Sequence, residues 1–349
     1  MPTDIRVTRI DPSDPAGVEA VLALDQLVWS DDLRTPHDVA LANTPTRAAW
    51  IARIDGEDAG IAASWDIGVS VPAAGGGGSL RPVEGLTWVG VHPDHRRRGV
   101  LSALVRQHLR WTRDEQHRAI SALKASEAAI YGRFGYGVAS RELMMTFAHG
   151  TTFAAPPSVQ EVAAATTTRM TTVDPADAER VHALARRCAR SAAGHVVRSV
   201  EDFGRLLSDI PQTRGEREPA RLLWATRGGE DVGCAWFHRT PRWTHGAPDG
   251  QVGVSFLMDV DVAARLALAQ RLTTLDLMAG TECSRRPARA VAGGEAAARG
   301  RAERRPVVAD RRPAHRGGRA RPRRRPRAHR RGGRHDPPGE RRHLAVDGS

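Results

Sequence analysis

Three consecutive arginines, Arg96, Arg97 and Arg98, run directly into Gly99 within the stretch WVGVHPDHRRRGVLSALVRQHL, Trp88 to Leu109. An apolar strand pattern ends at Val91, a polar turn follows, and an amphipathic helix pattern starts at Val100. The first turn of a helix exposes unpaired backbone amides and a partial positive charge, so it suits an anion such as phosphate. Gly99 lets the backbone approach that anion with no Cβ in the way, and the arginines add charge-assisted hydrogen bonds. An isolated R-x-x-G is more often a solvated basic helix start; the strand before it and the helix after it make this one specific. Further on, ALKASEAAIYGRFGYG (Ala122–Gly137) carries the chain's two tyrosines, Tyr131 and Tyr136. A phenol is protonated at neutral pH and can act as a general acid, although core packing is the commoner role of a tyrosine.

The whole-chain charge points elsewhere and misleads. The 349 residues carry 52 Lys and Arg against 40 Asp and Glu, a net +12 and a pI of about 11.1. Residues 281–349 alone hold 21 arginines and seven acids, net +14, so residues 1–280 are net −2. The arginines at 96–98 therefore do not belong to a basic body. The segment 281–349 has no Phe, Trp, Tyr, Ile, Met or Lys and cannot bury enough apolar area to offset ordering, so disorder is expected. Two readings of it stand. It is an arginine-rich arm that contacts polyanions nonspecifically, or it is an out-of-frame translation of a GC-rich gene. The single lysine, Lys124, among 51 arginines and the abrupt switch after Val262–Gly280, which has a helix pattern, favour the second.

Three cysteines, Cys188, Cys234 and Cys283, have no metal-ligand spacing, so no metal is expected and a reducing, cytoplasmic setting is. The first residues carry no apolar signal core, and no stretch is long and apolar enough to span a membrane.

The elements that would position the chemistry alternate. IRVTRI (Ile5–Ile10) alternates like a strand, and Asp14-Pro15 opens a helix through Trp29. Ala48–Val71 predicts a hairpin turning at Asp55-Gly56, PAAGGGGS a loop, Gly85–Val91 a strand and Val100–Trp111 a helix. AISALKAS and RELMMTFAH complete an α/β (α+β) domain over residues 1–152, with a linker at Phe153–Ser158. WATRGGEDVGCAWF (Trp224–Phe237) then echoes WIARIDGEDAGIAASW (Trp50–Trp65), which predicts a second copy over 159–280 without the RRRG stretch.

At these residues the chain resembles the GNAT family of acetyl-CoA-dependent N-acetyltransferases. Their signature is Arg/Gln-x-x-Gly-x-Gly/Ala; Arg96 to Leu101 fits it, with Leu101 departing at the last position. VHPDHRRRG, ALKASEAAIYGRFGYG and the doubled domain together resemble the Eis (enhanced intracellular survival) type, over roughly residues 5–280. The resemblance implies tandem domains, each a mixed, mostly antiparallel sheet flanked by helices. It implies that Val89, Gly90 and Val91 hold the pantetheine and polarise the thioester. Arg97, Arg98, Gly99, Val100, Leu101 and Ser102 would form the pyrophosphate loop, and Ser126 and Glu127 a further cofactor contact. A helix N-cap is the plain reading of Ser126. Tyr131 matches the family's general acid, and Tyr136 reads as packing. Trp88 lines the acceptor site or packs in the core.

The resemblance also implies a primary-amine acceptor (aminoglycoside, polyamine or a lysine-like group) and a homo-oligomer. Eis-type enzymes carry a third, sterol-carrier-like domain whose terminal carboxylate is the general base. Here residues 281–349 stand in its place, which removes that base and puts the assembly in question. Asp31 and Asp32 could attract a cationic amine, or form a surface turn. The alternatives to an active transferase are a coenzyme A-binding pseudoenzyme and a polyanion-binding protein acting through its tail.

Overall fold

The computed structural model describes residues 4–11, 13–29, 47–140, 143–285 and 305–309. Asp31 and Asp32, most of the segment after Arg285 and all of Arg312–Ser349 lie outside the described residues.

The first sheet is built mainly by β1 (Ile5–Ile10), β2 (Ala48–Ile54), β3 (Glu57–Pro72), β4 (Gly78–Val91), β5 (Ser121–Ala125) and β6 (Tyr136–Val138). β1 to β4 run antiparallel, each against its neighbour. Asp55 (φ 54°) and Gly56 (φ 89°) are both left-handed, as a two-residue hairpin turn requires. β4 starts earlier than its apolar run suggests: the glycine loop tightens to a short turn, and Gly78 already pairs with Pro72. Helix α1 (Pro15–Trp29), capped by Asp14 Oδ1 from the Ala16 amide at 3.2 Å, covers one face of the sheet with Val18, Val21 and Leu22. Helix α2 (Val100–Asp114) covers the other, burying Val100, Leu104, Val105, His108 and Trp111 against Trp50 and Ile54.

The second sheet holds β7 (Leu143–Ala148), β8 (Thr167–Thr172), β10 (Arg221–Arg227), β11 (Glu230–Thr240), β14 (Gly250–Asp259) and β15 (Met278–Arg285), in the order β7-β15-β14-β11-β10-β8. Helices α3 (Pro157–Ala164), α4 (Ala178–Ser191), α5 (Val200–Leu206) and α6 (Val262–Thr273) flank it. A small hairpin, β12 (Trp243–Thr244) with β13 (Ala247–Pro248), stands apart.

Several sequence expectations change here. β7, counted within residues 1–152, pairs with β15 of the second sheet, Ala148 opposite Gly280. In the other direction β9 (Val196–Arg198) leaves the second half to pair with β3. The two halves are thus stitched by exchanged strands, which no local pattern encodes. The linker expected at Phe153–Ser158 gives way to helix α3 from Pro157, because a proline suits a helix's first turn. The helix expected over Val262–Gly280 ends at Thr273. Leu277 adopts a left-handed φ of 65°, and Met278 begins a strand.

The tail expected to be disordered from 281 contributes two strands. β15 runs to Arg285 with Thr281 and Cys283 buried, because two flanking strands offer it a full set of backbone partners. β16 (Arg305–Ala309) pairs with β5 and β6 in the first sheet.

Candidate active site

β4 is paired along its length on one side only. Against β5 it pairs in parallel at two positions, Glu84 with Ser121 and Gly85 with Ala122. Beyond them the strands part, leaving Leu86–Val91 and Leu123–Ala125 on the two sides of a slot. A β-bulge sharpens the opening: Ile61 faces Gly90 while Ala63 faces Thr87, and Trp88 is forced to a φ of 49°. Left-handed backbone is uncommon for a bulky residue and marks a constrained position. A cavity of about 260 Å³ occupies the slot, with Trp29 and Trp88 on the α1 side and Ile130 and Tyr131 toward α2; Lys124 and Glu127 complete its charged lining. Gly90 is needed for the close approach of α1, since a Cβ there would meet Val28 Cγ1 at 2.8 Å.

The closed end of the slot is pinned by a cluster that sequence reasoning missed. The Glu84 carboxylate is fully buried. It accepts from Ser64 Oγ at 2.9 Å and Arg47 Nε at 3.1 Å, and pairs with Arg118 Nε at 3.1 Å. Two guanidiniums and a hydroxyl offset the desolvation of that carboxylate. His108 Nε2 lies 3.1 Å from Ser64 Oγ, and burial lowers this histidine to a pKa of about 3. The imidazole is therefore neutral. Since Ser64 gives its proton to Glu84, Nε2–H is the donor to Ser64. Residues 47, 64, 84, 108 and 118 share no spacing that a sequence pattern would reveal.

At the other end of β4 the chain turns through Pro93–His95, where His92 Nδ1 accepts from the Asp94 amide at 3.2 Å. Arg97 (φ 62°) and Gly99 (φ 95°) are left-handed, and Gly99 is the N-cap of α2 with no side-chain cap. The first-turn amides at Val100, Leu101 and Ser102 thus receive no carboxylate or hydroxyl from the cap. Arg98 is partly engaged, at 3.0 Å from His95 Nδ1 and 3.6 Å from Asp55. Arg96 and Arg97 are exposed and make no ion pair with described residues. The side chains of Val100 and Leu101 belong to the core, so only their backbone can serve an anion.

Past β5 two single 3-10 turns, Ala128–Ile130 and Gly132–Phe134, place Tyr131 against the slot at 8% exposure. Burial, reinforced by the Glu127 carboxylate, raises its phenol above the usual value, so it is protonated and able to donate at neutral pH. Tyr136 is differently placed. Its hydroxyl is 2.7 Å from Ser121 Oγ, its ring meets Tyr131 edge-on at 5.9 Å, and burial raises its pKa further still. Tyr136 packs; Tyr131 faces the cavity. Ser126 and Glu127 are exposed at the rim. Ser126 is not a helix N-cap, because the segment forms a 3-10 turn whose preceding residue is Glu127.

The splayed fourth and fifth strands and the uncapped, arginine-flanked helix start beside their opening form one candidate site on the first sheet. The acetyltransferase (GNAT) domain family matches residues 9–139. The chain is 31% identical over 300 residues to an uncharacterized N-acetyltransferase of Streptomyces avermitilis, covering 82% of this chain and 67% of that protein. It is 42% identical over 101 residues to N-acetyltransferase Eis of Mycobacterium tuberculosis, covering 28% of this chain and 24% of that one. Among solved structures, Eis1 from Mycobacterium abscessus superposes with a TM-score of 0.55 at 25% identity, over 80% of this chain and 64% of that chain. A GCN5-related N-acetyltransferase from Kribbella flavida shares the fold at TM-score 0.62 and 18% identity, over 88% of this chain and 71% of that one.

The chain belongs to the GNAT family of N-acetyltransferases, and within it is similar to the Eis type. It spans about two thirds of the length of its Streptomyces avermitilis relative and of the Eis1 chain.

Proposed function

We propose that the chain transfers the acetyl group of acetyl-CoA to a primary amine such as a polyamine, an aminoglycoside or a lysine-like group. The observation that carries this is the slot between β4 and β5, open toward Val89–Val91, with the Tyr131 phenol against it and the uncapped start of α2 beyond its end. Acetyl-CoA supplies the acetyl group as an activated thioester. The residues fit it: amides at Arg97–Ser102 meet a pyrophosphate with no competing side-chain cap, and the arginines add charge. The backbone of Val89, Gly90 and Val91, freed from β5, is available to a pantetheine amide and to the thioester carbonyl. Ser126 and Glu127 extend the contact at the rim.

In transfer, Tyr131 donates its proton as charge develops on the departing sulfur; its burial keeps that proton in place until then. The acceptor amine attacks in its neutral form, and Glu127, which lines the same cavity, is positioned to take the proton it sheds. Trp29 and Trp88 form the apolar wall on the acceptor side. Three buried cysteine thiols, at positions 188, 234 and 283, fit a reducing, cytoplasmic setting. No described helix is long and apolar enough to cross a membrane.

The test is a thiol-release assay with acetyl-CoA and spermidine or kanamycin, alongside calorimetry with acetyl-CoA alone. Binding together with acceptor-dependent thiol release is the expected result. Absence of acetyl-CoA binding would overturn the reading; binding without turnover on any amine would leave a coenzyme A-binding pseudoenzyme.

A further inference from the structure

We infer that Lys124 is itself an acetyl acceptor, so that the chain acetylates its own slot. This rests on the proposed acetyl transfer and adds a modification site to it. Along β5, Ser121, Leu123 and Ala125 are buried, whereas Lys124 is exposed and directed to the opposite face. The pairing of β4 with β5 ends at Ala122, so Lys124 stands two residues inside the opened part of the slot. It lines the same cavity as Val89, Glu127 and Tyr131. A primary amine on a long, flexible stem is therefore held in the compartment that contains the acid and a carboxylate. It is also the chain's single lysine. The guanidiniums of the other 51 basic residues stay protonated and are not acyl acceptors.

The step balances without a further reagent. The Lys124 ammonium first gives one proton to solvent. Its neutral Nζ then attacks the thioester carbonyl, a C–N bond forms and the C–S bond breaks. Tyr131 gives its proton to the departing thiolate, and the nitrogen passes one proton to Glu127. Solvent afterwards carries the proton taken by Glu127 back to Tyr131. The products are coenzyme A and an amide on Lys124. Lys124 and Glu127 are the cavity's two charged lining residues, so acetylation converts a balanced cavity into one with a single negative charge. That state favours a cationic amine.

The full-length chain incubated with acetyl-labelled acetyl-CoA and no acceptor, then digested and mapped by mass spectrometry, is expected to carry one acetyl group on Lys124. Labelling is expected to fall about a hundredfold in Tyr131→Phe, the scale of a lost general acid, and to vanish in Lys124→Arg and in urea-unfolded protein. Lys124→Gln, which mimics the acetylated state, is expected to show a lower KM for spermidine than Lys124→Arg. An unlabelled Lys124 in protein that binds acetyl-CoA by calorimetry would overturn the proposal while leaving the functional reading intact. Equal labelling of folded, unfolded and Tyr131→Phe chains would also overturn it, as simple chemical acylation. Protein that does not bind acetyl-CoA would overturn both.

Discussion

Helices α2 and α6 occupy the same place in the order of their two halves, each following a long strand and preceding a parallel one, yet their N-termini are opposites. α2 begins at Gly99 with a left-handed cap, no side-chain hydrogen bond and three arginines beside it. α6 begins at Asp261, whose carboxylate accepts from the Ala264 amide at 2.8 Å and pairs with Arg227. Partial burial opposes its ionisation, but those amides and Arg227 hold its carboxyl below the usual range. The second half therefore fills its own anion position with an internal carboxylate. The strands beside them differ less. β14 and β15 pair over five positions, Gly250 to Val254, against two for β4 and β5, and both β4 and β14 run on past that pairing through a bulge; only β4 has a left-handed residue there, Trp88. The contrast between the two halves therefore lies at the helix start, uncapped in the first and filled by an internal carboxylate in the second.

Substitutions can break or sharpen this contrast. The largest effect is expected from Tyr131→Phe, which removes the acid of the open slot: kcat should fall about a hundredfold, with acetyl-CoA affinity by calorimetry unchanged. Next is Gly99→Asp, which transplants the second half's carboxylate to the first. Acetyl-CoA should bind more than about tenfold more weakly, because the added charge occupies and repels the anion position. Gly99→Asn tolerates the left-handed backbone and can cap the same amides without a charge, so it should lose only part of that; equal losses would assign the effect to capping or strain and not to charge.

Arg97→Ala and Arg98→Ala should each weaken binding a few-fold at low salt, with the difference shrinking at high salt as screening removes the long-range part. Smallest is Asp261→Ala. Acetyl-CoA binding should not change, while thermal or denaturant unfolding should show a loss of about 1 kcal/mol from the missing cap. Folding lowers this carboxyl's pKa, so its contribution is present above the ordinary value near 3.9 and is lost as pH falls through the lowered one. The variant and the parent should therefore converge in strongly acidic solution.

What could be read from the sequence was local. The strand–R-R-R-G–helix unit was legible because Gly99 interrupts two clear periodicities, and the Asp55-Gly56 turn because both residues tolerate positive φ. The exchange of β7 and β9 between sheets was not, since strand partners at a distance leave no mark on either segment. The end of α6 was missed because LTTLDLMAG keeps an apolar helical rhythm through the break at Leu277. Glu84 looked like an ordinary polar residue before an apolar strand; its burial depends on Arg47 and Arg118, drawn from distant parts of the chain. The two tyrosines were separable by resemblance alone until Ser121 was seen to claim the hydroxyl of Tyr136. The composition switch placed at 281 moves as well. Thr281 and Cys283 alternate inward on a strand paired on both sides, so the fold's own sequence continues to Arg285. If the arginine-rich segment is out of frame, the shift falls in the codons just after it.

Calorimetric titration of the full-length chain with acetyl-CoA tests most directly whether the first half alone holds the proposed cosubstrate. One acetyl-CoA should bind per chain, and the same titration of Gly99→Asp should show that single site weakened while the fold, followed by circular dichroism, is retained. Two sites per chain, or undiminished binding in Gly99→Asp, would contradict that assignment.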